Sequence, residues 1–479
     1  MRRKDINMLE GSIVKGLLAM AIPIMIANVI QSMYNIVDMR VLKQFDPGDG
    51  LAIGAVSACG TLTNLITALV IGISTGSNVI VARYIGRKDP ESRDRAIHTA
   101  LAFSIAAGLL LTLIGIIGAP YFLVWTNCDP ELLPGAILYF RMYFAGVVVL
   151  FLHNFCASFL RATGDSRRLM STSLTGGAVK VAGTFLFVGG FKMGILGVSL
   201  ATLVSWFVYV ALDLRVLLPK NRAAVRIRPR DIRFHKKEMK EILHVGIPAG
   251  LQQALYSVAN VIIVSTVNTF GKEATTGLGI ANQYDNILYQ ICTAVTLSVM
   301  PYVSQNIGAG NVTRAKQAML RGFFVTATIA GTLGTISAIC SRQLAGFMSS
   351  NPQVIEYAHQ KMVIISCTYF LCGTDRIIGQ SLRAMGKPMA ATVSTMVWMC
   401  AFRFFWVYVV YYQLIPSYNA HLLQINAYLP FTLPPISQNL TSLYLVWPIG
   451  WLLSICTLLC IFFPTVKKLS KKAAVGNAI

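Results

Sequence analysis

Three aspartates interrupt apolar stretches of the chain that are long enough to cross a membrane. Asp38, Asp285 and Asp375 each lie well inside such a stretch, and a spanning helix needs about 20 apolar residues. A medium of low dielectric constant disfavours the charged form of a carboxylate, so the group can hold a proton near neutrality or exchange it for a cation. An antiporter needs this chemistry. The three residues are therefore candidate cation-coupling sites, with Na⁺ or H⁺ as the ion.

A salt bridge to an intramembrane base is the structural alternative for these acids. Arg376 directly follows Asp375, and Lys180 and Arg403 also lie in apolar segments. Neighbours in sequence point about 100° apart on a helix, so Asp375 and Arg376 need not pair. A fourth acid, Asp213, lies at the cytoplasmic end of its segment and is expected to be solvated.

Polar side chains accompany the aspartates at helical spacing. Steps of three and four residues place the amides of the first apolar segment on the same helix face as Asp38. Such amides either join helices by hydrogen bonds or line a wet cavity, and a carboxylate in the stripe favours the cavity. The residues predicted to line a substrate cavity are Asn28, Gln31, Asn35, Gln253, Tyr256, Asn260, Asn282, Asn286 and Tyr289.

Composition identifies the elements that must carry these residues. The chain has 479 residues, of which 55% are hydrophobic and 13% charged, whereas a soluble domain has about 25% charged residues. This excludes soluble, disordered and coiled-coil classes and favours an all-α polytopic membrane protein. Twelve spans are predicted, near 13–39, 51–82, 96–122, 136–160, 169–189, 194–218, 242–268, 276–304, 318–347, 358–381, 389–412 and 441–463.

The formal charge of +22 follows the membrane topology. Most of the 41 Lys and Arg residues lie in alternate connections between spans, as the positive-inside rule requires of cytoplasmic loops. Both termini are therefore predicted to be cytoplasmic, in a multi-pass protein of the plasma or inner membrane. A nucleic-acid partner would need a basic face with motif support, and the sequence has none.

An internal repeat organises the spans. At an offset of 222 residues, Gly86 falls on Gly308, and the run Leu160-Arg161-Ala162-x-Gly164 falls on Leu382-Arg383-Ala384-x-Gly386. Both copies keep one orientation, so the twelve transmembrane helices form two six-helix lobes related by a parallel pseudo-two-fold repeat. The predicted domains are an N-lobe over 1–218, a basic cytoplasmic linker over 219–241 and a C-lobe over 242–479.

Other kinds of chemistry lack their motifs. Most of the ten cysteines lie inside predicted spans without metal or disulfide spacing, and no phosphate-cradling Gly-x-x-x-x-Gly-Lys run occurs. We expect no enzyme activity, no structural metal and no cofactor other than the coupling ion.

Several of these features together resemble the multidrug and toxic compound extrusion (MATE) family. They are Ile22-Pro23, Tyr34-Asn35-Ile36-Val37-Asp38, Gly86, the two Leu-Arg-Ala-x-Gly runs and Asp375, in this order within a six-plus-six repeat. The resemblance implies a two-lobed antiporter that expels cationic amphipathic compounds in exchange for Na⁺ or H⁺. It also implies coupling roles for Asp38 and Asp375.

Two positions depart from the pattern of that family. Tyr256 stands where one branch has a glutamate in the seventh helix, and Gly183 lies near the position of an aspartate in the fifth helix of another branch. Neither branch's complete coupling site is present, which leaves Na⁺ and H⁺ both open.

The predicted function is therefore a secondary antiporter of small organic cations that works in the lipid bilayer as a monomer, by alternating access between its lobes. The alternative is a flippase for a lipid-linked saccharide, because Lys180, Arg376 and Arg403 could form a basic cavity for a pyrophosphate. An intramembrane enzyme would need a nucleophile, metal or paired-aspartate motif.

Overall fold

The computed structural model describes residues 6–45, 51–126, 128–218, 225, 227–417, 419–420 and 439–476. Within these ranges the secondary structure is helical. The first half of the chain forms α1 (Ile13–Phe45), α2 (Leu51–Gly86), α3 (Pro90–Trp125), α4 (Leu133–Ala145), α5 (Val147–Thr163), α6 (Ser166–Thr184) and α7 (Gly194–Leu217). A π-helical turn, Phe185–Gly190, prolongs α6. Residues 219–224 and 226 of the predicted linker lie outside the described ranges.

The second half of the chain has more and shorter elements. They are α8 (Lys236–Asn268), α9 (Lys272–Gly308), α10 (Val312–Ile339), α11 (Ser341–Met348), α12 (Pro352–Ala384), α13 (Pro388–Thr395), α14 (Phe402–Phe405), α15 (Leu440–Tyr444) and α16 (Val446–Gly476). The π-helical segments Met396–Ala401 and Trp406–Leu414 continue α13 and α14, so that Pro388–Ser417 has the length of one span. A 3₁₀ turn, Pro229–Asp231, precedes α8.

The described part of the chain holds 10 helices long and apolar enough to cross a membrane. The pair α4 and α5, bent by 44° around Gly146, adds an eleventh if the pair is one span. The remaining predicted span, 169–189, falls on α6 and its π-helical turn. That helix is rich in Ser, Thr and Gly, so its hydropathy is lower than that of the others.

The chain divides into two compact units. Unit 1 comprises Met1–Gln253, Leu297–Ala318 and Ala384–Gly386, and unit 2 comprises Ala254–Thr296, Met319–Arg383 and Lys387–Ile479. Phenylalanines on α4 and α5 fill the centre of unit 1, whereas Tyr and Trp side chains of α12 and α16 contribute much of the core of unit 2. The boundaries of the two lobes stay a prediction from the repeat.

Repeat-related residues meet one another inside unit 1. A Cβ on Gly86 would lie 2.0 Å from the carbonyl oxygen of Gln305, and a Cβ on Gly308 would lie 2.1 Å from that of Arg83. Because Arg83 and Gln305 are also 222 positions apart, each end of the α2–α9 crossing copies the other. Only glycine lets two helix backbones approach this closely.

Hydrogen bonds to the Leu-Arg-Ala-x-Gly runs repeat the same symmetry. The Nη2 group of Arg83 donates to the carbonyl of Ala384 at 2.9 Å, and the Nε2 group of Gln305 donates to the carbonyl of Ala162 at 2.8 Å. Donors and acceptors in the two bonds are repeat partners, so this part of unit 1 is built around a local two-fold relation.

Candidate functional site

Asp38 is bound by two side chains of α6. Lys180 Nζ lies 2.6 Å from its Oδ2 atom, and Thr184 Oγ1 donates to its Oδ1 atom at 2.7 Å. Lys180 and Thr184 are one helical turn apart and therefore face α1 together. Asp38 is only 6% exposed. The carboxylate is thus neutralised by a base inside unit 1.

Small residues of α6 allow α1 to approach it. A Cβ on Gly177 would lie 1.7 Å from Cε2 of Tyr34, so the tyrosine ring lies directly against the helix backbone. The hydroxyl of Tyr34 donates to the carbonyl of Leu174 at 3.5 Å. The low hydropathy of α6 therefore has a packing reason, since larger apolar side chains would hold the Asp38 helix away.

The other predicted cavity residues of α1 lie in different environments. Asn28 is half-buried, and its carbonyl accepts a hydrogen bond from Ser32 at 3.1 Å. Gln31 is exposed. The side chain of Asn35 lies outside the part of the structure that is described.

The expectation that Asp213 is solvated is wrong. It is 0% exposed, and its Oδ2 atom lies 2.8 Å from Nδ1 of His153 on α5. The imidazole stacks on Tyr209, with ring centroids 4.8 Å apart. The end of α7 that carries Asp213 is covered by α5, which the position of Asp213 near a loop did not indicate.

Asp285 in unit 2 also has a lysine partner. Lys361 Nζ on α12 lies 2.8 Å from its Oδ2 atom and also donates to Asn282 Oδ1. The ammonium group lies 5.7 Å from the centroid of the Trp447 ring. Asp285, with a side chain that is 13% exposed, is therefore paired with a buried lysine, and Asp38 is likewise paired with a lysine.

Asp375 differs from the other two acids. Ser454 Oγ on α16 donates to its Oδ1 atom at 2.5 Å, and the residue is 8% exposed. Among the residues that the structure describes, no Lys, Arg or His nitrogen lies within 4.0 Å of this carboxylate. Its sequence neighbour Arg376 points to aromatic rings instead. Of the three acids predicted to lie in the membrane, Asp375 is thus the one without a basic partner among the described residues.

Two arginines lie among aromatic rings of unit 2. The guanidinium carbon of Arg376 lies 4.4 Å from the centroid of Tyr289, and that of Arg403 lies 4.9 Å from Tyr256 and 5.5 Å from Trp447. Arg403 Nη1 donates to Asn260 Oδ1 at 2.6 Å. The predicted cavity residues Tyr256, Asn260 and Tyr289 therefore contact cationic side chains of the protein itself.

The remaining predicted cavity residues do not join this group. Asn286 is exposed, and Gln253 is half-buried in unit 1. Sequence reasoning missed Lys361, Ser454 and Trp447. Lys361 had a signal, because it is a base within the predicted span 358–381, as Arg376 is, but Ser454 is an ordinary residue of an apolar helix.

The family of the chain follows from its match to a family model. The MatE model matches residues 23–186 and 248–409, one stretch in each half of the repeat. The chain belongs to the MatE family. This MatE protein is 27% identical over 392 residues to the probable multidrug resistance protein YoeA of Bacillus subtilis, a match that covers 80% of this chain and 84% of that protein. It is 25% identical to a FAD transporter of Shewanella oneidensis, over 81% of this chain and 86% of that one.

Solved structures show the same fold. A MATE structure in the straight conformation has a TM-score of 0.85 at 19% identity and covers 98% of this chain and 100% of its own. A MOP superfamily transporter from Pyrococcus furiosus has a TM-score of 0.84 at 20% identity, covering 98% and 99%. The predicted fold class and family resemblance are confirmed. The MatE protein is a multi-pass membrane transporter of small molecules.

Proposed function

We propose that the protein is a secondary active antiporter that exports amphipathic small molecules in exchange for Na⁺ or H⁺, by alternating access between its two lobes. One observation carries the proposal: Asp375 is buried, accepts a hydrogen bond from Ser454 and has no basic partner among the described residues. A carboxylate in that setting binds a proton or a small cation more readily than one that a lysine already neutralises.

The ion pairs of the other two acids give them a different role. Lys180 and Lys361 hold Asp38 and Asp285, and a cation could bind either acid only after the pair opened. Removing one partner of a buried pair leaves an uncompensated charge, so we assign Asp38 and Asp285 a positioning role and Asp375 the coupling role.

Organic cations are the first substrate class to test. The names of relatives such as YoeA support them, and so does the presence of aromatic faces at Tyr256 and Tyr289, because aromatic rings attract cations. In this protein, however, those faces are in contact with Arg403 and Arg376.

A substrate with an anionic group is the second candidate, and these arginines favour it. The predicted flippase of a lipid-linked saccharide belongs to the same class, since its pyrophosphate is anionic. FAD, the molecule in the name of the relative from Shewanella oneidensis, also contains phosphate groups.

Efflux from proteoliposomes tests the coupling. We expect an imposed Na⁺ gradient or an imposed pH gradient to drive ethidium or a fluoroquinolone out of vesicles that contain the wild type, whereas Asp375→Asn abolishes the drive. If neither gradient drives efflux of either compound, nor of an anionic flavin, antiport is the wrong assignment.

The cellular setting is proposed on the same basis. A chain with cytoplasmic termini, acting as a monomer in the plasma or inner membrane, agrees with the basic residues of alternate loops. Accessibility of cysteines introduced near each terminus, in intact and in permeabilised cells, checks the orientation.

A further inference from the structure

The polar centre of unit 2 contains more bases than acids. Lys361, Arg376 and Arg403 contribute three cationic groups, whereas Asp285 and Asp375 contribute two carboxyl groups. Lys361 and Asp285 neutralise each other. The excess positive charge therefore belongs to the two arginines, and it increases when Asp375 binds a proton or a cation.

Arg403 carries a donor that the described residues leave unused. The residue is 1% exposed, its Nη1 group donates to Asn260, and its Nη2 group is buried without a hydrogen-bond partner. A buried donor with no acceptor is costly, and more so when it is charged, because it has lost its hydrogen bonds to water without gaining others. An acceptor that reaches Nη2 would recover this free energy.

Arg376 presents a second guanidinium against the same aromatic side chains. Its guanidinium carbon is 4.4 Å from Tyr289 and 5.8 Å from Tyr256, and Tyr256 also contacts Arg403. In the described residues neither arginine is within 4.0 Å of a carboxylate. Tyr256 is thus the ring that the two guanidinium groups share.

Contacts within unit 2 hold the guanidinium groups of Arg376 and Arg403 in place before any ligand binds. The guanidinium carbon of Arg376 lies 4.4 Å from the Tyr289 ring and that of Arg403 lies 4.9 Å from the Tyr256 ring, and the bond from Arg403 to Asn260 ties its guanidinium group to α8. A planar fork held in this way matches the two oxygens of a carboxylate or phosphate, which is why Arg is favoured for such recognition. A cationic drug would meet the opposite conditions, because it would have to enter beside two guanidinium groups that have no carboxylate within 4.0 Å among the described residues.

We propose that Arg403 and Arg376 form a binding site for an oxyanion, a phosphate or carboxylate group carried by an amphipathic molecule. Arg403 Nη2 binds one oxygen, Arg376 supplies the second positive charge, and the aromatic residues Tyr256, Tyr289 and Trp447 contact the apolar part of the ligand. If the oxyanion belongs to a transported substrate, this site rests on the antiport proposed above. Binding of the oxyanion to the two arginines does not by itself require antiport. The oxyanion can belong to a soluble phosphoester or to a lipid headgroup.

Equilibrium binding to the purified wild type distinguishes the group that is recognised. Flavin mononucleotide and riboflavin share the ring system and differ in one phosphate, so fluorescence anisotropy with each isolates the contribution of the anion. We expect flavin mononucleotide to bind at least tenfold more tightly than riboflavin, and free pyrophosphate to compete with it. Equal affinity for the two flavins would overturn the site.

Substitutions of Arg403 and Arg376 test whether these two residues bind the anion. Arg403→Gln is expected to weaken flavin mononucleotide at least tenfold and to leave riboflavin unchanged, since a charge-assisted hydrogen bond is lost. Arg376→Gln is expected to weaken it by a smaller factor, and Arg403→Lys, which keeps the charge without the fork, by an intermediate one. The exposed Arg342, paired with Glu356 at 3.1 Å, provides the control Arg342→Gln, which should bind as the wild type does. If Arg403→Gln does not fold, Arg376→Gln and Arg403→Lys decide, and normal binding by both would refute the assignment.

Measurements in lipid nanodiscs distinguish whether the oxyanion belongs to a lipid headgroup or to a soluble molecule. The same titration is repeated in nanodiscs of phosphatidylcholine with and without phosphatidylglycerol. Loss of flavin mononucleotide binding when the acidic lipid is present, in wild type but not in Arg403→Lys, assigns the site to a lipid phosphate, and unchanged binding assigns it to a soluble anion. Because no gradient is applied, antiport can fail while this site stands, and the site can fail while ethidium efflux still depends on Asp375.

Discussion

Lys180 Nζ lies 2.6 Å from Oδ2 of Asp38, so the acid that the resemblance marked for coupling is neutralised by a base on α6. Thr184, one turn further along, donates to the other carboxylate oxygen. A second lysine, Lys361, neutralises Asp285 in unit 2. Asp38 and Asp285 are thus each paired with a lysine. Asp375 instead has a neutral partner, Ser454, among the described residues.

Breaking the Asp38–Lys180 pair on one side is expected to destabilise the protein more than removing both charges. Asp38→Asn or Lys180→Met alone leaves one buried charge uncompensated, which costs about 3 to 5 kcal/mol in measured cases. The double variant removes both charges and should regain most of that loss. Thermal unfolding of the four purified proteins in one detergent checks this, and double-variant losses equal to the sum of the two single losses would contradict the pairing.

Asp375→Asn is expected to remove gradient-driven transport without loss of folded protein. An amide can still accept the hydrogen bond from Ser454 but cannot bind a proton or hold a cation by charge. Asp375→Glu should keep part of the activity. Ser454→Ala serves as the matched change, because it removes the hydrogen bond and retains the carboxylate. Efflux rates are normalised to protein in the vesicles, and full activity of Asp375→Asn would exclude the coupling role.

The sequence predicted where the buried acids lie but not what they contact. Spacing placed Asp38, Asp285 and Asp375 inside helices, because helical periodicity is a local property of the chain. Lys180 is 142 positions from Asp38, and nothing local indicates which helices pack together. For Asp213, closeness to a loop suggested solvent, yet α5 covers it and supplies His153.

The repeat, in contrast, relates contacts as well as helices, although only the helices and lobes were predicted from it. Residues at an offset of 222 occupy matching places in two copies of a structure, and a two-fold relation makes contacts between the copies reciprocal. The bonds from Arg83 to Ala384 and from Gln305 to Ala162 are such a pair. Symmetry in the sequence thus carried information over long sequence distances that single motifs did not.

Gly86→Ala is expected to destabilise the crossing of α2 and α9. The added methyl group would lie 2.0 Å from the carbonyl oxygen of Gln305, so the helices must separate, and overpacking of this kind costs about 1 to 3 kcal/mol. Gly308→Ala should have a similar effect, since its Cβ would lie 2.1 Å from the Arg83 carbonyl oxygen. Gly60→Ala is the control on the same helix, because no atom of the described residues outside the neighbouring backbone of α2 lies within 4 Å of its added Cβ. Melting temperatures are measured in detergent, and equal values for Gly86→Ala and Gly60→Ala would show that the helices separate freely.

His153→Ala is expected to destabilise unit 1 because it leaves Asp213 buried without its hydrogen-bond partner. Asp213 is 0% exposed and its Oδ1 atom has no partner among the described residues, so the 2.8 Å contact with His153 is the hydrogen bond that they give this carboxylate. Losing the partner of a buried charge costs about 3 to 5 kcal/mol. The double variant His153→Ala, Asp213→Asn should lose less than His153→Ala alone, because the residual group is then neutral. His244 is exposed, so His244→Ala should stay within about 0.5 kcal/mol of the wild type. If the single and double variants unfold at the same temperature, His153 contributes packing against Tyr209 rather than compensation of the Asp213 charge.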